Sequence, residues 1–391
     1  MMEHAMLRSL FPQLEHSTYL NSCSCGALAQ PVIDAVQHYL QLWKCHGGRA
    51  WYADGGWLEA LDSARAHIAA LLGASPHEIA LAPNVSTALA ALASCMDYAA
   101  RPRVLTTSLD FPTLAHQWLA KASAGAHCDI LPSPDGCTVP VEAFAAVVDK
   151  RTALIATARV YFTTGAIQDI VALARLAHDA GALLLVDDYQ GTGQVPLDVK
   201  EANIDMLVGG TQKWLLGGPG LSFLYVHERL HARLHPSVVG WFGHAHQLDF
   251  LLQPWEPRGD ARRFELGTPA LPAVYAANAG MELVRKTGVD AIRRRVKWLT
   301  ETLVSGLTEA GFQLTMATDP EKRAGIVMLE CPDAQAWVVE LARQSIIVDA
   351  RPGHLRIAPH FYNDMDDIER VLKALKELEW RNAAGIASSS A

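Results

Sequence analysis

Two residues carry a pattern suited to covalent chemistry on a carbonyl compound. Lys213 lies in Met206–Gly220, MLVGGTQKWLLGGPG, a predicted strand followed by a glycine-rich turn. Leu207, Val208, Trp214 and Leu215 are its apolar sequence neighbours. A lysine buried among such residues loses basicity and can attack an aldehyde as a free amine, whereas the commoner alternative is a solvated surface charge. Asp187 follows the apolar run Leu183–Val186. It therefore stands at the carboxyl end of a predicted strand, where open α/β sheets gather their ligands. Capping of the next turn by Asp187 or Asp188 is the plainer reading of the same residues.

Three further segments extend the set. Asn84-Val85-Ser86-Thr87 opens an Ala-rich helix after a predicted strand. Such a start caps the helix and also offers N–H groups, hydroxyls and a dipole to a phosphate. Asp110-Phe111-Pro112-Thr113 follows another strand, and Phe111 there is either core or a stacking partner for a planar ring. Arg356, in RPGHLRIAPHFYN (Arg351–Asn363), has the planar fork that pairs with carboxylates. A phosphate seat, a ring-stacking aromatic, an acid for a ring nitrogen, an amine and a carboxylate clamp follow one another along the chain. Pyridoxal phosphate asks for this set.

The elements that must position these residues read as alternating strands and helices. Apolar runs at Glu78–Ala82, Val104–Leu109, His127–Leu131, Ala153–Ala158, Leu183–Val186, Met206–Gly209 and Leu221–Val226 are predicted strands. Val85–Met96, Pro112–Ala122, Val141–Val148 and Ile170–Ala180 are predicted helices between them. This spacing predicts an α/β fold with a mostly parallel sheet between helices. Residues 227–265 have little regular period. Pro269 to about Gly311 is helical again, followed by strands at Ile326–Leu329, Ile346–Asp349 and Leu355–Ala358 and helices at Asp333–Gln344 and Met365–Leu378. Residues 18–257 are expected to form a large domain, with residues 1–17 and 258–381 forming a smaller α+β domain. The small, polar tail Asn382–Ala391 is expected to fray.

The composition fits an enzyme or a binding protein. Of 391 residues, 50% are hydrophobic and 19% charged, which excludes a disordered chain. A net charge of −8 gives no long-range attraction to nucleic acid or anionic lipid, so neither is an expected partner. No apolar run approaches the ~18–20 residues of a membrane span. The N-terminal segment lacks an uninterrupted signal core, so a cytoplasmic protein is expected. Seven irregularly spaced cysteines suit free thiols in a reducing compartment.

The motifs NVST, DFPT, VDDYQGTGQVPLDV, TQKWLLGGPG, ELGTP and LRIAPHFYN, in this order, resemble the class V aminotransferase family of fold-type-I pyridoxal-phosphate enzymes. That family includes cysteine desulfurases, kynureninases and isopenicillin-epimerase-like proteins, and the resemblance runs from Tyr19 to Asn363. It implies that Lys213 binds the cofactor aldehyde, Asp187 pairs with the pyridinium nitrogen and Gln190 reaches the phenolic oxygen. Phe111 would stack on the ring, and Ser86, Thr87 and Thr211 would hold the phosphate. Thr268, in ELGTP, would reach the phosphate of a partner subunit, making the enzyme a homodimer. Arg356 would bind the α-carboxylate of an amino-acid substrate, and the freed Lys213 would be the base for its α-proton.

Departures from the family's branches narrow the reaction. The desulfurases carry a nucleophilic cysteine in a loop before the carboxylate arginine, but Arg351–Leu355 has none and Cys331 belongs to another element. Gly240–His244, GWFGH, and DFPT resemble kynureninases, whereas Gln212 stands where they have tyrosine and Gln190 where they have histidine. Transamination is the preferred reaction. Kynureninase-like or C–S β-bond cleavage and Cα epimerisation are the alternatives. Cys23 and Cys25 fall where the family's N-terminal loop nears the site, as contacts or as ordinary buried thiols. The row His227, His231, His235 spans two helical turns, too long to converge on one zinc ion, and no metal is expected. Trp51, Tyr52 and Trp57 suit a pocket, a dimer contact or simple packing.

Overall fold

Seven strands form the central sheet of the computed structural model, which describes residues 4–383. In chain order they are β1 (Ile79–Ala82), β2 (Arg103–Thr107), β3 (His127–Leu131), β4 (Thr152–Ala158), β5 (Leu183–Asp187), β6 (Met206–Gly210) and β7 (Ser222–Val226). Their order across the sheet is β1-β7-β6-β5-β4-β2-β3. Only β7 is reversed, pairing antiparallel with β1 and β6, while the other pairs are parallel. All seven predicted runs are strands, and the expected α/β class with a mostly parallel sheet is the observed one.

Apart from the edge strand β3, where His127 and Ile130 are exposed, the sheet is buried on both faces, and the period of two along each strand sorts its residues. Leu184 and Val186 of β5, Ile155 of β4 and Leu207 of β6 enter one core. Leu185, Leu154, Met206 and Val208 enter the other. Helices α1 (Gln30–His46), α2 (Trp57–Leu72) and α5 (Ile170–Asp179) cover the first face, with α3 (Val85–Ala93) and α4 (Pro112–Leu119) over the second. The pattern reading names neither α1 nor α2. Continuous burial explains why the LLLV run of β5 shows no alternation of polarity.

Helices α6 (Leu271–Thr287), α7 (Val289–Glu309), α8 (Ala334–Arg343) and α9 (Met365–Ala383) follow. A second sheet holds β8 (Val327–Glu330), β9 (Asp349–Arg351) and β10 (His354–Ile357), antiparallel in the order β9-β10-β8. Leu299 and Leu303 of α7, Leu341 of α8 and Val371 and Leu375 of α9 cover it in a separate core. The N-terminal segment joins this unit: Thr18–Tyr19 pairs with Ile346–Ile347, and Arg8 pairs with Asp364 and Asp367. Helix α6 does not. Its Val274, Ala277 and Met281 share the larger core with α1 and α2, although it lies beyond the expected boundary at residue 257. Helical periodicity shows that a face is apolar and is silent about which sheet receives it. Of the tail expected to fray, Asn382 and Ala383 end α9, and residues 384–391 lie outside the described residues.

Candidate active site

Because β7 alone is reversed, β1, β2, β4, β5 and β6 all direct their carboxyl ends to one edge. The connections leaving that edge line a cavity of about 250 Å³ that includes Asn84, Ser86, Phe111, Phe162, Asp187, Tyr189, Gln190 and Lys213. Lys213 lies in the connection between β6 and β7, so an antiparallel turn rather than a helix presents it. Leu216 adopts φ +60° there, an uncommon conformation for a non-glycine residue. Gly217 allows α6 to brace the loop: a Cβ at this position would lie 2.6 Å from the Ala277 Cα.

Asp187 is the last residue of β5 and is 5% exposed. Its Oδ1 accepts the Tyr189 N–H at 3.0 Å, and no other hydrogen bond reaches its carboxylate among the described residues. Burial pushes its pKa above the usual carboxylate range, against the opposing pull of the Tyr189 N–H and the Lys213 charge. Burial likewise holds the Lys213 amine below the usual lysine range, opposed by the charge of Asp187. The Lys213 Nζ lies 4.4 Å from the centre of the Tyr189 ring. A buried acid with an unfilled oxygen and an amine of reduced basicity, facing one cavity, match the two ends of a pyridoxal ring.

Gln190 is held at both ends of its amide. Its Nε2 donates to the Cys23 carbonyl at 2.9 Å, and its Oε1 accepts from the Trp214 indole at 2.8 Å. One N–H of the amide remains for a ligand oxygen. Phe111 lines the cavity 46% exposed, edge-on to Phe162 at 5.2 Å. Asp110 anchors this segment from below. It accepts from the Thr106 hydroxyl, the Thr107 N–H, the Thr157 hydroxyl and the Ala158 N–H, tying β2 to β4.

The expected phosphate ligands divide. Ser86 lines the cavity, and its hydroxyl meets that of Thr113 at 2.7 Å beside the start of α3. Thr87 does not line it. Its N–H and hydroxyl both donate to Oδ1 of Asn84, the residue that caps α3, at 2.9 and 3.0 Å. Thr211 is fully buried, with its hydroxyl directed to the carbonyls of Leu221 and Gly218. Thr268 is exposed and outside this chain's cavity. The structure thus gathers Ser86, Phe111, Asp187, Gln190 and Lys213, and leaves Thr87, Thr211, Thr268 and Arg356 outside the cavity wall, Arg356 touching it only through the Phe162 carbonyl.

Arg356, on β10, is 1% exposed. Its Nη1 donates to the Phe162 carbonyl at 2.9 Å, and its Nη2 donates to the Ser24 hydroxyl at 2.7 Å and to Asp349 Oδ2 at 2.5 Å. The expected carboxylate clamp therefore already holds a carboxylate of its own chain. Sequence reasoning missed Asp349 and Ser24, and also Tyr189 and Phe162 in the cavity wall. The spacing of Asp349, Arg351 and Arg356 around the tight Pro352-Gly353 turn was the available signal for Asp349.

The remaining candidates lie elsewhere. Cys23 is buried and its thiol is pushed up by burial, and none of the seven cysteines lines the cavity. His227 accepts from the Arg229 N–H and His231 hydrogen-bonds to the Val226 carbonyl. Among the described residues no three His, Cys, Asp or Glu side chains converge on a metal-sized site. Trp51 packs edge-on to Trp57, and Tyr52 is exposed.

The profile of the family described as Aminotransferase class-V matches residues 18–371. The chain belongs to this family. It is a pyridoxal-phosphate-dependent enzyme, and Lys213, Asp187 and the start of α3 fit that cofactor. An uncharacterised aminotransferase of Bacillus subtilis, YcbU, is 37% identical over 376 residues, spanning 95% of this chain and 97% of that protein. A kynureninase of Pseudomonas fluorescens is 28% identical over 89% of this chain and 85% of its own. Among solved structures, a variant of C-DES with glycine covalently linked to its pyridoxal phosphate superposes with a TM-score of 0.87. It covers 95% of this chain and 99% of its own at 22% identity, a likeness of fold.

Proposed function

We propose that this class V enzyme transfers the amino group of an amino acid to a keto acid. The observation that carries the reading is the content of the cavity wall among the described residues: one amine, Lys213, one carboxylate, Asp187, and no cysteine or histidine. Bound there, pyridoxal phosphate supplies an aldehyde that captures the substrate amine and a protonated ring that withdraws electrons from the Cα–H bond. Asp187 keeps the ring nitrogen protonated, and Gln190 offers its free N–H to the phenolic oxygen. The Ser86 hydroxyl and the first N–H groups of α3 receive the phosphate. Lys213 Nζ takes and returns protons, and one such base is enough for transamination. The Tyr189 hydroxyl is pushed up to about 12 by burial and the nearby Asp187, so it remains protonated at neutral pH and does not compete as a base.

Arg356 is read as the group that receives the substrate α-carboxylate. Thr268, exposed and outside this chain's cavity, is read as a phosphate contact made across a homodimer. A second reading, cleavage of a bond at Cβ, is favoured by the kynureninase relative and by the aromatic segment at Gly240–His244.

A panel of amino acids, each incubated with and without a keto-acid acceptor, tests the two. Transamination predicts that turnover requires the acceptor and that the cofactor accumulates in its amine form without it. Turnover with no acceptor present would replace this reading with cleavage at Cβ: ammonia and a keto acid mark elimination, and alanine with a carboxylic acid marks hydrolysis of the Cβ–Cγ bond. Light scattering with an activity assay tests the dimer: a fully active monomer refutes the role of Thr268.

A further inference from the structure

The hairpin of β9 and β10 places Asp349 directly opposite Arg356 in register. Arg351, two residues along β9, projects to the same face, because side chains alternate along a strand. One oxygen, Asp349 Oδ2, accepts from Arg356 Nη2 at 2.5 Å and from Ser24 Oγ at 2.6 Å, and pairs by charge with Arg351 Nη1 at 2.9 Å, whose own hydrogen bond goes to the Ala350 carbonyl at 2.7 Å. Among the described residues its Oδ1 takes only the Ala350 N–H, at 2.8 Å. Two guanidinium groups share one carboxylate, so the cluster is one negative charge short of balance.

The fork of Arg356 is neither free nor satisfied. Both hydrogens of Nη2 are engaged by Ser24 and Asp349, and each bidentate edge of a guanidinium that includes this nitrogen is blocked. Its Nε is buried without a hydrogen-bond partner among the described residues. Exposure differs across the cluster: Arg356 is 1% exposed, Asp349 24% and Arg351 29%. Asp349 can therefore move outward onto Arg351 with its charge still paired, while Arg356 stays in place.

We propose that Asp349 is a specificity-determining residue: it holds the position on Arg356 that a substrate carboxylate needs, and gives way to that carboxylate by shifting onto Arg351. This inference rests on the reading of Arg356 as the carboxylate clamp. Asp349 sets a threshold for entry. A ligand that brings a full carboxylate replaces a like group and neutralises the cluster's excess charge. A neutral amide or an amine brings nothing to compensate Arg356 and is rejected.

The test uses the holoenzyme and two unreactive probes, propionate and propionamide, with binding measured by calorimetry. Asp349→Asn removes the competing charge and keeps the shape, so propionate binds about tenfold or more tightly while propionamide is unchanged. Asp349→Glu returns affinity toward that of the unaltered enzyme. Arg351→Gln, a change at the more exposed rim, removes the receiving group and weakens propionate binding about tenfold. A residue that merely supported the hairpin would give weaker binding in Asp349→Asn, the opposite sign, and that result overturns the proposal. Unchanged affinity in Asp349→Asn together with loss of binding in Arg356→Lys overturns the role of Asp349 alone. Unchanged binding in Arg356→Lys overturns both this inference and the assignment of the clamp.

Discussion

Asp187→Asn separates two opposed roles of one buried group. The carboxylate has a single hydrogen-bond donor, the Tyr189 N–H, and burial raises its pKa. The folded pKa lies above the unfolded one, so the group's stabilising contribution is fully present below the unfolded pKa and is lost as pH rises through the folded pKa. At neutral pH the ionised carboxylate destabilises the cofactor-free protein. Asparagine has the same shape and retains an oxygen for the Tyr189 N–H. Replacing the charge should stabilise the cofactor-free fold by about 1–2 kcal/mol, since a buried charged group with too few partners costs at least that much, and Lys213, whose basicity burial already lowers, sheds its proton when its counter-charge is lost. At this chain length the gain corresponds to roughly 1 °C in Tm per kcal/mol. Cofactor binding should move the other way. A neutral amide cannot balance a protonated ring nitrogen, and loss of a buried charge-assisted pair of about 3 kcal/mol weakens the cofactor Kd on the order of a hundredfold. Calorimetric melting of the cofactor-free protein from pH 4 to 8, and titration with pyridoxal phosphate, measure the two effects. The melting curves of the variant should lose the decline that the unaltered protein shows as pH rises through the acid range. A lower Tm for the cofactor-free variant, or an unaltered cofactor Kd, refutes the reasoning.

Lys213→Ala should abolish the visible absorbance of lysine-bound cofactor. In the unaltered protein the rate of cofactor loading should rise with pH and level off before the ordinary lysine value of 10.5, because only the free amine attacks and burial depresses its pKa. A retained spectrum, or a rate still climbing at that value, contradicts the assignment. Asn84→Ala removes the acceptor that caps α3 and binds both donors of Thr87, and should cost about 1 kcal/mol of stability with weaker phosphate binding, read by melting and by cofactor titration. Trp214→Phe leaves Gln190 Oε1 without its buried donor and should cost about 1–3 kcal/mol in thermal melting, with a lower kcat as Gln190 loses its orientation. An unchanged Tm would show that this bond does not hold Gln190.

The central sheet was readable because burial on both faces leaves uninterrupted apolar runs, and the turns between them are marked by glycine, proline and capping residues. The sequence by itself determined the seven strands, the helices leaving their ends, and the order in which Ser86, Phe111, Asp187 and Lys213 arrive at one edge. Position at a strand's carboxyl end is a local property, and the parallel topology converts it into proximity. The direction of a hydroxyl or an amide is not local. Thr87 turned to Asn84 and Thr211 turned to the carbonyls of Gly218 and Leu221, where nearer partners satisfied them. Gln190 is fixed by Cys23, and Arg356 by Ser24 and Phe162, each partner far away in the chain. Only the tertiary structure decided those contacts, and with them which residues face the cavity. A buried polar group takes whichever partner the packed fold brings within hydrogen-bonding reach, and spacing along the chain does not specify that partner.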